Sequence, residues 1–127
     1  LMLENERLTK QFSNEIPVPV SRYATTNISD IKKNKDLTLI LHSKLSGPCL
    51  ISNKQENEYY NFNHFEYDFD TLKKEYLRDI KIDKRTPIPS NYFPNDNPEN
   101  EPKDCWSNNS TLFFNNWLNM ISKEKVS

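Results

Sequence analysis

His64 and Glu66 are the side chains whose type and spacing best suit proton chemistry. In an extended segment, residues two apart point to the same side. The run His64-Phe65-Glu66 then sets a carboxylate beside an imidazole. A carboxylate on one ring nitrogen fixes the tautomer and stabilises the imidazolium formed when the other nitrogen takes a proton. That is how the acid of a nucleophilic triad supports its base. The same spacing also describes a surface histidine beside a solvated glutamate, and the pair alone leaves both readings open. His42 sits in an apolar run and reads as a satisfied strand residue. No metal-ligand spacing is present, and the two cysteines, Cys49 and Cys105, fit neither a disulfide framework nor a zinc site.

The elements that must position the pair follow from hydrophobic pattern and turn residues. Leu37–Leu41 is a short apolar run of strand character, and Cys49–Ser52 reads as a second strand after the turn Ser46-Gly47-Pro48. Tyr59–Phe62 is a third. Asp68 or Asp70 can cap a helix reaching about Ile82, with Leu72, Tyr76, Leu77 and Ile80 as its buried stripe. Residues 83–105 hold five prolines and read as a long loop. A last helix is predicted from about Ser110, with Leu112, Phe113, Trp117, Leu118 and Ile121 as its apolar surface. Pro17 and Pro19 favour extended structure in the first 23 residues. Strands followed by a helix predict an α/β fold.

Composition narrows the function classes. A chain of 127 residues is at most one domain, and 35% hydrophobic residues make a thin core. The chain has one glycine, where α/β folds use several for turns and helix ends. Seventeen basic and eighteen acidic residues are interspersed, so no basic stripe points to nucleic acid. The longest apolar run is far below the roughly 20 residues of a membrane span. With no signal-peptide pattern and no disulfide framework, the expected compartment is the cytoplasm.

Four blocks give the pair a context. The segment NHFEYDFDTLKKEYLRDI at 63–80 resembles the HPEYD-plus-helix signature of the homoserine O-acyltransferases. PVSRY at 19–23 resembles their P-H-S-R-Y substrate loop, NYFPNDNP at 91–98 their N-Y-F-P loop, and CWSNNSTLFFNNWLN at 105–119 their closing helix. The blocks fall in the family's order, with no gap needed between Ser21 and His64, and cover about Leu8 to Asn119.

The resemblance implies a class I glutamine-amidotransferase-like fold, a flavodoxin-like parallel sheet with helices on both sides. Residues 1–127 would be one partial domain, its C-terminal half. It also implies a Cys-His-Glu ping-pong reaction, in which acyl-CoA, succinyl or acetyl, acylates the cysteine and the hydroxyl of L-homoserine then takes the acyl group. The block spellings lean to succinyl. By that likeness His64 is the general base, Glu66 its orienting acid, Arg78 the grip on the substrate carboxylate and Ser21 a substrate-binding serine. Read without the family, Arg78 is a helix-surface ion pair with Glu75 or Asp79, and Ser21 a turn hydroxyl. No cofactor is implied beyond the acyl-CoA co-substrate, and no metal. The nucleophilic cysteine of the family lies upstream of the substrate loop, and neither Cys49 nor Cys105 takes its place. The chain alone is therefore expected to be inactive, and to need the N-terminal half of such an enzyme or a homo-oligomer as partner.

Some positions depart from the family pattern. Asn63 replaces a glycine before the histidine, Phe65 a proline after it, and Val20 the histidine of the substrate loop. Phe65 is expected to put a bulky ring beside the pair. Trp106, Phe113, Phe114 and Trp117 are expected in the core. The alternative to an enzyme is a degenerate, non-catalytic remnant or binding module of the same fold. A different amidotransferase-like hydrolase would leave the NYFP and NWLN blocks without a reason.

Overall fold

A computed structural model describes residues 7–55 and 57–126, with side chains as far as 123. Those of the first 23 residues that precede 7 lie outside the described part. Three strands and three helices follow in chain order: α1 (Ile28–Lys33), β1 (Leu37–Ser43), β2 (Gly47–Asn53), β3 (Glu58–Asn61), α2 (Thr71–Ile82) and α3 (Ser107–Val126). A single 3-10 turn, Pro94–Asp96, interrupts the long loop between α2 and α3.

The chain is α/β, but its described sheet is a meander of order β1-β2-β3 with both pairings antiparallel. The expected parallel sheet is not among the described residues. Short connections dictate this: hairpin loops can join only antiparallel neighbours, whereas a parallel pair needs a long crossover. In β1 against β2 the register skips Ile40 on one strand and Cys49 on the other. Pro48 to Ser52 are buried without a break, the signature of a strand covered on both faces.

The core gathers Leu8, Ile40, Leu41, Cys49, Leu50, Phe65, Phe113 and Met120. Phe12, Ile16 and Val18 of the N-terminal segment and Tyr59 of β3 pack against it. Gly47 opens β2 at φ +78°, and a Cβ there would lie 2.7 Å from Thr25 Oγ1. The glycine shortage is met by other residues. Asn57, Asn91 and Asn95 adopt positive φ, as do Asp96 and Gln11. Asparagine and aspartate tolerate that region best among side chains with a Cβ.

The helices correct several expectations. Asp70 occupies the N-cap position of α2 but makes no capping bond there. Its carboxylate pairs with Lys74 at 2.8 Å. Leu72 and Tyr76 are buried as expected, whereas Leu77 is 43% exposed, because the inward stripe of α2 is narrow. The last helix starts three residues early: Asp104 Oδ1 accepts the backbone N–H of Trp106 (3.1 Å) and of Ser107 (2.9 Å) and so caps it. Trp106 and Phe113 are buried; Phe114 and Trp117 are 40% and 38% exposed. Phe113 and Met120, seven residues apart, define the inward line of α3, and Phe114 and Leu118 fall off it. Trp117 lies at its margin, edge-on to Tyr59 at 5.9 Å.

Candidate active site

His64 follows β3 at the start of a turn, not in an extended strand, and Tyr67 N–H reaches back to the His64 carbonyl at 3.5 Å. The expected side-by-side arrangement is nevertheless reached. His64 Nδ1 lies 2.7 Å from Glu66 Oε1. A turn brings residues two apart together as effectively as a strand does, so the expected contact forms on a different backbone.

The imidazole is constrained from four directions. Its backbone N–H donates to the Pro19 carbonyl at 2.9 Å, tying the turn to the substrate-loop block. Nδ1 faces Glu66, and Nε2 faces the Ser21 carbonyl at 3.2 Å. The Tyr67 ring stacks on its face with centroids 4.2 Å apart and planes 17° from parallel. Both hydrogen-bond partners are acceptors, so both nitrogens are satisfied at once only as donors.

Ser21 and His64 therefore meet, but through the serine backbone. The Ser21 hydroxyl instead lies within hydrogen-bonding reach of the Tyr67 phenol. Arg78 is not brought to the imidazole. Its Nε donates to Asp79 Oδ1 at 2.7 Å, the helix-surface pairing, and that bond raises the Arg78 pKa and lowers that of Asp79. Arg78 still lies three residues beyond Glu75, on the same helical face. Glu75 accepts the Tyr67 hydroxyl at 2.5 Å, so this face of α2 is the one turned toward the stacked pair.

Neither cysteine is prepared to act as a nucleophile. Cys49 is buried in β2, and burial pushes its thiol up to about 12, against smaller lowering effects of Asn63 and Arg22. A thiol held that high carries almost no thiolate at neutral pH. Cys105 is exposed ahead of α3, and desolvation with the adjacent Asp104 carboxylate raises it as well.

The departures at 63 and 65 have structural explanations. Phe65 does not crowd the pair: its side chain turns inward, fully buried, and stacks on Phe113 with centroids 4.3 Å apart. Asn63 is buried and needs no positive φ. Its Oδ1 accepts Arg22 at 3.0 Å, and the same guanidinium donates to the carbonyls of Pro48 (2.9 Å) and Ser46. Ser110 of α3 and Trp106 just ahead of it hold the turn from the other side: Ser110 Oγ donates to the Phe65 carbonyl (2.5 Å) and Trp106 Nε1 to the Tyr67 carbonyl (2.8 Å). Tyr92, from the NYFP block, donates to the Phe69 carbonyl at 2.5 Å and accepts Lys73 N–H at 3.2 Å.

Sequence reasoning singled out neither Tyr67 nor Arg22, although both stand inside quoted blocks. Apart from the His64–Tyr67 stack, their side-chain anchors Glu75 and Asn63 lie 8 and 41 residues away, beyond any local pattern. An open groove of about 750 Å3 adjoins this region. Its lining includes Val20 and Asn63, neighbours of Ser21 and His64, together with His42, Cys49, Tyr92 and Trp106. Burial holds the His42 pKa below the ordinary imidazole value.

His64 thus has a carboxylate at one ring nitrogen and a backbone carbonyl at the other, and a carboxylate so placed is the arrangement that supports an imidazole in proton transfer. The sequence profile of the homoserine O-succinyltransferase family matches residues 1–127. A homoserine O-acetyltransferase of Roseobacter denitrificans is 40% identical over 113 residues, 89% of this chain and 37% of that protein. Enzymes of the same name from Streptococcus thermophilus and Streptococcus gordonii are 39% and 40% identical over 112 and 115 residues, 88% and 91% of this chain. The chain spans a little over a third of the length of these relatives. It belongs to the homoserine O-succinyltransferase family.

Proposed function

We propose that this chain is the base-bearing part of an acyltransferase that moves a succinyl or acetyl group from acyl-CoA to the hydroxyl of L-homoserine, opening methionine biosynthesis. The observation that carries the reading is the His64–Glu66 contact of 2.7 Å, on a ring whose other nitrogen faces the substrate-loop block. The family profile is described as a succinyltransferase and the relatives are named acetyltransferases, so the donor stays one of two. The wider flavodoxin-like fold belongs to the same proposal.

In this mechanism a cysteine outside these 127 residues attacks the acyl-CoA carbonyl carbon. The bond from that carbon to the CoA sulfur breaks, and CoA leaves with a proton. The homoserine hydroxyl then gives its proton to His64 Nε2 as its oxygen attacks the acyl-cysteine carbonyl. The new C–O bond forms, the C–S bond breaks, and the proton on Nε2 passes to the departing sulfur, which restores both the cysteine and the base. Glu66 on Nδ1 stabilises the imidazolium formed on the way. Arg78, released from Asp79, would pair the amino-acid carboxylate, for which a guanidinium fork is suited. Ser21 would bind substrate beside it.

A non-catalytic remnant of the same fold is the second reading, favoured by the Arg78–Asp79 bond, which occupies the proposed carboxylate grip. The deciding assay follows CoA release from succinyl- and acetyl-CoA with homoserine. It uses the chain alone and the chain mixed with the remaining segment of the Roseobacter denitrificans relative. We expect no turnover alone, turnover in the mixture, and its loss by about 100-fold or more in His64→Ala. Turnover by the chain alone that vanishes on replacing Cys49 or Cys105 would refute the proposed source of the nucleophile. A silent mixture that binds both segments would favour the remnant.

A further inference from the structure

Tyr67 follows the base and its orienting acid directly, and its ring lies on the imidazole face at 4.2 Å. The contacts of Nδ1 with Glu66 and of Nε2 with Ser21 act only at the ring's edge and leave its faces unsupported. A second aromatic plane stacked on the face supplies that support. The phenol is itself anchored: its hydroxyl donates to Glu75 of α2 at 2.5 Å, and its backbone carbonyl accepts Trp106 Nε1 at 2.8 Å. Burial, with the Glu75 bond, pushes the phenol up to about 12, so it stays a donor to that carboxylate at neutral pH. The negative face of an aromatic ring also favours a cation stacked on it.

We propose that Tyr67 is a positioning residue for the acyl transfer described above, holding the His64 ring flat between Glu66 and Ser21 with Glu75 as its anchor. This rests on the acyl-transfer reading for its consequence in rate, but its geometric content stands separately. Orientation fixed before reaction lowers the barrier of a proton transfer, and a misplacement of about 1 Å costs up to about 100-fold in rate.

The chain has two histidines, so imidazole nitrogen NMR of the 15N-labelled chain resolves His64 from His42. In Tyr67→Leu we expect the His64 ring signals to move toward those of a freely rotating imidazole. In the active mixture, kcat should fall about 10- to 100-fold with KM moved by less than about 3-fold. Tyr67→Phe keeps the stack and Glu75→Gln keeps the ring but weakens its anchor, so each should lower kcat about 3-fold. A folded Tyr67→Leu chain with unmoved His64 signals overturns the proposal, even if its melting temperature drops, since that is a purely structural role. If Tyr67→Leu does not fold, the other two variants decide: unmoved His64 signals in both overturn it. Should the unmutated mixture transfer no acyl group, the acyl-transfer reading fails, while the NMR arm still decides whether Tyr67 positions the ring.

Discussion

β2 and the turn at 63–70 are separated by β3 alone, yet different kinds of bond hold them. β2 is stabilised by ladders to two neighbours in the chain, and its five consecutive buried residues are covered from both faces. The turn has no ladder. It hangs on single bonds from distant places: Pro19 to His64, Ser110 to Phe65, Trp106 to Tyr67, and the Phe65 ring in the core. A ladder shares any loss among many bonds, whereas a tethered turn loses its geometry one tether at a time. The His64–Glu66 pair sits on the tethered part, so Ser110 of α3 and Trp106 just ahead of it, bonded to the turn's backbone, help set where the imidazole stands.

The largest expected effect tests the ring tether. Phe65→Ala removes a fully buried side chain stacked on Phe113, and should cost about 3–5 kcal/mol in denaturant unfolding. If the comparison holds, the same variant disorders the His64 ring while β1 and β2 keep their hydrogen-exchange protection. Equal loss of protection in both would erase the distinction.

Arg22 spans both regions, joining the Ser46-Gly47-Pro48 turn to Asn63. Arg22→Ala should cost about 1.5–3 kcal/mol, since it leaves two carbonyls and a buried carboxamide without their charged donor. Chemical denaturation of the variant measures the loss, and a change below the fitting error would show that water replaces the guanidinium.

Alkaline pH separates the regions without mutation. Cys49 in β2 rises from 9.0 to about 12 and Tyr67 in the turn from 10.0 to about 12. Both pKa values are raised on folding, so their contribution is whole below the unfolded values and disappears as pH climbs toward 12. At pH 10, one unit above the free thiol, the loss should be about 1 kcal/mol and should come from Cys49. Thermal unfolding at pH 8, 10 and 11 of the chain and of Cys49→Ala checks this. A mutant with the same slope between pH 8 and 10 as the parent would contradict the assignment to the sheet.

The smallest effect belongs to Arg78, which is exposed and bound to its neighbour in sequence. Arg78→Ala should leave the melting temperature unchanged, because an exposed ion pair contributes little. In the active mixture it should raise KM for homoserine by about 10-fold or more through loss of the carboxylate grip. A melting temperature that falls would mean the Asp79 pair is structural.

The strands were legible because their apolar runs are bounded by turn residues, and α2 because Leu72 and Tyr76 recur at helical spacing. The predicted start of α3 near Ser110 fell three residues late, because Asp104 caps the helix ahead of its first apolar residues. The His64–Glu66 contact was legible from type and spacing, although the backbone beneath it is a turn. Tyr67 and Arg22 were not singled out, since what fixes them is distant: Glu75 and Trp106 for Tyr67, and two carbonyls and Asn63 for Arg22, none of which a local period encodes. Trp117 was placed too deep because aromatic size argues for burial, but the inward line of α3 runs through Phe113 and Met120.

The Ser21 carbonyl, 3.2 Å from Nε2, bears on timing. A carbonyl cannot yield a proton, so while it holds that nitrogen the ring is parked. The bond is long and single, worth about 0.5–1.5 kcal/mol, so leaving it is easy. Nε2 can bond that carbonyl only as an N–H, so in the proposed transfer it must first shed that proton and leave the backbone before it can take one from a hydroxyl.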